Sequence, residues 1–167
     1  MRLLLLNQFA PPDTAPTARL LGDLAAAFTA AGWDAVLIGK KEGYRHGKKA
    51  GFHRILRDAL AHLRLFWSGL LAGPCDWVLC LSDPPGLPLT AALLARIKRA
   101  RLAHWAMDVY PEVAVRLGAL PDGFASRLAG SAMTWGYHEC DLLVALDEDM
   151  RGVIERTTGM NCAVSSL

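Results

Sequence analysis

The residues best suited to chemistry in this 167-residue sequence are short groups of amides, hydroxyls and carboxylates that directly follow apolar runs. There are four such groups: Asn7-Gln8, Ser82-Asp83, Asp108 and Asp147-Glu148-Asp149. Carboxylates can orient or deprotonate a hydroxyl, and amides can hold one by hydrogen bonds. Together the groups indicate a polar cleft. The alternative for each group is that it caps the next helix, because Asp, Asn and Ser are common at helix N-termini.

Five apolar segments, which we predict to be β-strands, must position these groups. They are residues 2–6, 33–38, 76–81, 102–107 and 141–146. Segments with helical periodicity separate them, the longest running from Phe52 to Leu71. This alternation predicts an α/β fold with a doubly wound parallel sheet, in one Rossmann-like domain over residues 1–167. Ligands of such sheets bind outside the carboxyl ends of the strands, where the polar groups lie.

Composition and motifs exclude several classes of protein. Hydrophobic residues make up 53% of the chain, which argues against disorder. The four cysteines form no CxxC pair and the five histidines show no ligand spacing, so we expect no metal. Neither a GxGxxG nor a Walker A motif is present, so we expect no nucleotide cofactor. No apolar run approaches a membrane span or a signal-peptide core, so we expect a cytoplasmic chain.

Positive charge is concentrated in residues 40–72. This stretch holds eight basic and two acidic residues, whereas the rest of the chain carries a net charge of −4. Three interpretations remain open. In the first, residues 52–71 form a plain crossover helix. In the second, the stretch binds anionic lipid, and the side chains that enter the interface are Phe66, Trp67, Leu70 and Leu71. In the third, it binds nucleic acid. The last lacks a recognisable reading motif, so we expect no nucleic-acid partner. The basic candidates for the lipid contact are Lys40, Lys41, Lys48, Lys49 and Arg54.

Several motifs resemble those of bacterial family 4 glycosyltransferases, in the order expected for that family. They are residues 4–9 (LLLNQF), 11–17 (PPDTAPT), 19–25 (RLLGDLA), 82–85 (SDPP), 105–112 (WAMDVYPE) and 145–151 (ALDEDMR). The resemblance spans residues 1 to about 155 and is specific for the family but not for the sugar.

The resemblance implies one half of a GT-B enzyme, in which two Rossmann-like domains face each other across a cleft. Residues 1–167 would be the amino-terminal domain, which holds most of the acceptor site. The carboxy-terminal domain, which binds the nucleotide-sugar donor, is expected to be absent, so this chain alone should be inactive. The family transfers sugars with retained configuration and without an obligatory metal. The acceptor would be a glycan or a polyprenyl-linked sugar used for cell-surface polysaccharide synthesis, which suggests a peripheral location on the inner face of the plasma membrane.

The resemblance also suggests roles for individual residues. Asp108 is the best candidate to orient or deprotonate the acceptor hydroxyl, with a helix cap as the alternative. The other candidate substrate contacts are Asn7, Gln8, Asp13, Thr17, Asp83 and Glu112. Two other functions stay open: a non-catalytic α/β subunit that recruits a separate donor-domain chain to the membrane, and a stand-alone nucleotide-binding or receiver-like domain. A receiver needs an acidic pair after the first strand, and Asn7-Gln8 does not supply one.

Overall fold

One six-stranded, all-parallel sheet organises the chain in a computed structural model that describes residues 1–42, 52–109 and 123–165. The strands are β1 (Arg2–Phe9), β2 (Asp34–Lys40), β3 (Trp77–Cys80), β4 (Arg101–Ala106), β5 (Leu142–Ala145) and β6 (Ala163–Val164). The helices are α1 (Pro16–Ala30), α2 (Phe52–Leu71), α3 (Leu87–Lys98), α4 (Phe124–His138) and α5 (Glu148–Thr158). The strand order is β2-β1-β3-β4-β5-β6.

Helices cover both faces of the sheet, as the alternating sequence pattern predicts. On β1, Leu3 and Leu5 pack with Leu21 and Ala25 of α1 on one face. Leu4 and Leu6 belong to the larger core on the other face, which includes side chains of α2, α3, α4 and α5. Leu3 to Leu6 are almost fully buried, which explains why β1 is a continuous apolar run rather than an alternating one. The predicted doubly wound α/β fold is confirmed.

Helix boundaries follow local chemistry. Pro16 occupies the first turn of α1, where its missing N–H costs nothing, and the chain leaves α1 through Gly32 at φ +83°. Helix α5 begins at an Asp147 cap, whose Oδ1 accepts a 2.7 Å hydrogen bond from Met150 N. It ends at Gly159, which has φ +69°. No helix in the described ranges is long and apolar enough to cross a membrane.

One strand boundary differs from the sequence prediction in a way that matters for the site, and one strand was not predicted. Strand β1 continues to Phe9 rather than ending at residue 6, so Asn7 and Gln8 lie inside the strand. Polar residues can extend a parallel strand when their backbone groups find partners on both sides, and β1 has β2 and β3 as neighbours. The sequence analysis also missed β6, since a two-residue strand carries no periodic signal.

Candidate functional site

The candidate site lies at the carboxyl ends of β1, β3 and β4. The topological switch point of the sheet is between β1 and β3, and β4 is the next strand. From β1 the chain passes to β2 on one side, and β3 then lies on the other side of β1. Crevices at such reversals are where open α/β sheets bind ligands. Leu6 is in register with Cys80, and Cys80 with His104. Strand β3 ends at this level, whereas β1 continues to Phe9 and β4 to Ala106. The exits of β1 and β4 are two strand spacings, about 10 Å, apart.

Hydrogen bonds tie these three strand exits together. Gln8 N donates to Asp83 O at 2.6 Å, which joins β1 to the loop after β3. Ser82 Oγ accepts from Met107 N at 2.8 Å and from Asp108 N at 3.4 Å, which joins that loop to the exit of β4. Ser82 is buried, and its hydroxyl fixes the backbone where Asp108 leaves the sheet. We call these two hydrogen bonds to Ser82 Oγ the Ser82 bracket.

Asp108 follows β4 and presents a carboxyl group at the edge of the sheet. The residue is exposed by area, yet the surrounding protein partly desolvates its carboxyl group. This desolvation raises the pKa of the Asp108 carboxyl above its ordinary value. A carboxylate with a raised pKa accepts a proton more readily, which suits a general base better than an ordinary surface aspartate.

Asn7 lies beneath the loop between β1 and α1 and is fully buried. Its Nδ2 donates to Phe9 O at 2.9 Å and to Thr17 Oγ1 at 3.0 Å, so it fixes the first turn of α1 against the end of β1. Its Oδ1 is buried and has no hydrogen-bond partner among the described residues. Asn7 and Thr17, which we predict as substrate contacts, are joined by the Nδ2–Oγ1 hydrogen bond, and in these contacts they shape the loop.

Two further residues fix the loop between β1 and α1, Asp13 within the loop and Gly39 on β2. Asp13 Oδ1 accepts from Ala15 N at 2.9 Å, which holds a tight turn just before α1. Gly39 of β2 lies so close to this loop that a Cβ there would sit 2.8 Å from Asn7 O. Only glycine permits this approach, so β2 also presses the loop into place.

His62 is a site residue that the sequence analysis missed. It lies on α2, and its Nε2 donates to Pro85 O at 2.9 Å while Nδ1 lies 2.7 Å from Thr90 Oγ1. The imidazole thus links the basic helix to the loop after β3 and to α3. A single histidine inside an apolar helix carries no sequence signal for such a long-range bridge.

Other predicted residues lie away from the cleft or outside the described residues. Asp147 caps α5, and Glu148 pairs with Arg151 at 2.6 Å. These residues after β5 therefore stabilise the start of α5. Lys40, Lys41 and Trp67 are exposed. Phe66 and Leu70, which the lipid interpretation places at the membrane interface, instead pack against the core, as the crossover-helix interpretation predicts. The positions of Lys48, Lys49 and Glu112, and the side chain of Arg54, lie outside the described residues.

His104 belongs to the core and not to the cleft. Its Nδ1 donates to Cys80 O at 3.1 Å, and its ring stacks on Tyr137 at a centroid distance of 5.7 Å. Burial lowers the pKa of His104 to about 4, so the ring is neutral near pH 7. Within the described part of the chain, no three His, Cys, Asp or Glu side chains form a group that could hold a metal ion.

Fold and site geometry define a Rossmann-like α/β domain in which hydrogen bonds join the polar ends of β1, β3 and β4 at the topological switch point. Comparison with known proteins adds no closer assignment, since neither a protein-family model nor a curated protein matches the chain.

Proposed function

We propose that this chain is the acceptor-binding half of a retaining glycosyltransferase of the GT-B type. It would help transfer a sugar from a nucleotide-sugar to a glycan or a polyprenyl-linked acceptor during cell-surface polysaccharide synthesis. A second domain would bind the nucleotide-sugar, so these residues alone would not catalyse transfer. The family motifs at residues 4–25, 82–85, 105–112 and 145–151 support the proposal.

The observation that carries the proposal is the Ser82 bracket. Three of the motif segments meet at one edge of the sheet because Gln8 bonds to Asp83 and Ser82 bonds to the exit of β4. The backbone N of Asp108 belongs to this bracket, and the residue is exposed with a raised pKa of its carboxyl. A base held rigidly at the edge that would face a second domain is what acceptor activation needs.

In this proposal, each domain performs a different part of the reaction. Asp108 orients the acceptor hydroxyl and accepts its proton as the oxygen attacks the anomeric carbon. The bond from that carbon to the nucleoside diphosphate breaks on the same face, which retains the configuration. Negative charge then builds on the leaving diphosphate, and its stabilisation falls to the donor domain. Positioning of the acceptor by this half alone can lower the barrier by several kcal/mol.

The proposed location is the cytoplasmic surface of the plasma membrane. Lys40 and Lys41 are exposed at the end of β2, directly before the most basic part of the sequence. Each basic residue near an anionic membrane contributes about 1 kcal/mol of attraction. This location would give the site access to acceptors that carry a lipid tail.

Calorimetry on the 167-residue chain tests whether it binds the acceptor and not the nucleotide-sugar donor. Titration with a short-chain polyprenyl-phosphate sugar should show binding, and titration with common nucleotide-sugars should show none. Tight nucleotide-sugar binding would instead favour a stand-alone nucleotide-binding domain. If the chain binds neither ligand but co-purifies with a separate donor-domain chain, the non-catalytic recruiting subunit is the better account.

A further inference from the structure

We propose that the outer surface of helices α2, α3 and α4 docks this domain on an anionic lipid bilayer. The outer surface means the sides of these three helices that face away from the sheet. The inference deepens the proposed function by naming the surface and the partner, and its link to a lipid-linked acceptor rests on that function. It differs from the basic-segment prediction because it rests on exposed apolar side chains across three helices.

The strongest observation is an exposed apolar stripe on α2. Leu56, Leu60, Leu63, Trp67 and Leu71 are each between 48% and 82% exposed. At 3.6 residues per turn they fall within an arc of about 80° and extend over about 22 Å. The core contacts of α2 lie on the opposite side, through Leu65 and Gly69. The helix therefore has two apolar faces, of which the fold uses only one.

The neighbouring helices continue the stripe. Leu93 and Ile97, one turn apart on α3, are 50% and 58% exposed. Leu128 and Trp135 of α4, two turns apart, are also exposed. Helix α3 packs against both α2 and α4 on one face of the sheet, so the exposed sides of the three helices form one broad surface. Monomeric proteins rarely leave such large apolar patches open to water.

Charge identifies the partner. The three helices carry six Arg or Lys residues and a single acid, Asp58, which pairs with Arg57 at 3.3 Å. Arg96 pairs with Glu139 directly after α4, so positive charge still exceeds negative charge on this surface. Arg57 and Arg64 lie beside the α2 stripe, where a bilayer would hold lipid phosphates just above its acyl chains. A bilayer matches an apolar surface with a basic border, and the indoles of Trp67 and Trp135 suit the headgroup boundary. A second copy of the chain would present the same positive charge to itself.

The surface also has a connection to the cleft. His62 of α2 bonds to Pro85 O and Thr90 Oγ1, in the loop and helix that follow β3. Docking through α2 would therefore hold the β3 exit at a fixed height above the membrane. A short-tethered lipid-linked acceptor could then reach the crevice while its tail stays in the bilayer.

Vesicle sedimentation of the 167-residue chain tests the proposal. We expect binding to phosphatidylcholine vesicles with about 30% phosphatidylglycerol, and much weaker binding to pure phosphatidylcholine. Raising the salt from about 50 mM to about 300 mM should weaken binding, because it shortens the range of the charge attraction. Leu63→Gln combined with Trp67→Gln should lower vesicle affinity at least about tenfold. Both side chains point to solvent, so thermal melting should stay unchanged.

The control is Leu142→Gln, which replaces a comparably exposed leucine on β5 of the sheet. It should leave vesicle binding unchanged. Equal loss of binding in the control and the double variant would overturn the proposal, as would equal binding to both vesicle types. Concentration-dependent dimers abolished by the double variant would show that a second copy covers the surface, and would also overturn it.

Turnover measurements distinguish failure of the proposed glycosyltransferase function from failure of the lipid-binding surface. In an enzyme that combines this chain with the proposed donor domain, the double variant should keep normal turnover of a water-soluble acceptor and lose turnover of a vesicle-bound one. Loss of turnover with both acceptors would show that the surface acts on the site and not through the bilayer. An inactive wild-type enzyme that still binds vesicles would count against the glycosyltransferase and leave the lipid surface standing.

Discussion

At the scale of residues, Asp108 is the group on which the proposed chemistry depends. Asp108→Asn keeps the size of the side chain but removes its capacity to accept a proton. In an enzyme that combines this chain with the proposed donor domain, we expect at least about a 100-fold fall in kcat, the scale of one general base. Asp149→Asn is the matched control, because Asp149 also follows a strand exit but lies in the first turn of α5. Turnover near normal in a folded Asp108→Asn enzyme would remove Asp108 from the role.

The pH dependence gives a second measurement on the same carboxyl. Desolvation raises the pKa of Asp108, so the protonated, inactive form persists to higher pH than for a surface aspartate. We expect kcat/KM to fall toward acid pH with an apparent pKa above the ordinary aspartate value. In Asp108→Glu, which keeps a base, an acid limb should survive. An acid limb at or below the ordinary aspartate value would contradict the assigned environment.

Ser82 is a positioning residue, and its removal should affect both stability and the site. Ser82→Ala leaves Met107 N and Asp108 N without their acceptor, which should cost about 1–3 kcal/mol in urea unfolding. Because Asp108 loses its bracket, the acid limb of kcat/KM should also shift. Ser82→Thr keeps a hydroxyl and should restore the wild-type pH profile. A purely structural role predicts the stability loss with no change in the profile.

His104 gives a stability prediction with a definite sign. Its folded-state pKa of about 4 lies below the unfolded value of about 6.5, so the unfolded chain takes up the proton first as pH falls. Its contribution to stability is therefore lost between about pH 6.5 and pH 4. Compared with His104→Gln, the wild type should lose about 2 kcal/mol more between pH 7 and pH 5. Equal pH dependence in urea unfolding would contradict a neutral buried imidazole, and His138→Gln controls for loss of an exposed one.

At the scale of elements, the contact between α2 and α3 depends on Gly69. A Cβ at this position would lie 2.4 Å from Leu94 Cδ2, and Leu94 is fully buried. Gly69→Ala should therefore destabilise the fold by about 1–3 kcal/mol in spite of the better helix propensity of alanine. Gly152→Ala on α5 meets only the end of the Arg156 side chain and should be neutral or stabilising. Equal effects of the two substitutions on the melting temperature would argue against tight packing at Gly69.

Element types follow from the sequence more reliably than orientations do. Continuous apolar runs predict β1 and β3, and the 3.6-residue period predicts α2, because burial leaves these patterns in any parallel sheet. The orientation of α2 is not predictable in this way. The helix is apolar on two sides, so the sequence cannot tell Phe66 and Leu70, which pack inward, from Trp67 and Leu71, which face solvent.

The candidate site is predictable only in part. Polar residues at strand ends predict which residues collect at the carboxyl edge, because parallel strands share that edge. Hydrogen bonds between distant segments are not predictable, since nothing in the residue types indicates that Ser82 will accept from Met107 or that His62 will reach Pro85. Such contacts decide whether a residue such as Asn7 faces a ligand or holds a loop.

At the scale of the whole molecule, the proposed acceptor site and the proposed lipid surface lie on different sides of one sheet. The site lies at the carboxyl edge, and the outer surface of α2, α3 and α4 lies on one face. A domain lying on a bilayer through these helices would keep its crevice open to the side, toward a facing donor domain. Acceptor and donor could then approach Asp108 from different directions without either displacing the membrane contact.

Nuclear magnetic resonance of the isotope-labelled 167-residue chain tests the central claim most directly. Addition of a short-chain polyprenyl-phosphate sugar should shift the backbone amides of Gln8, Asp83 and Asp108, and the shift at Asp108 should shrink in Asp108→Asn. Nucleotide-sugars should leave all three amides in place. If nucleotide-sugars move these amides while the acceptor analogue leaves them unchanged, the crevice at this edge is not an acceptor site.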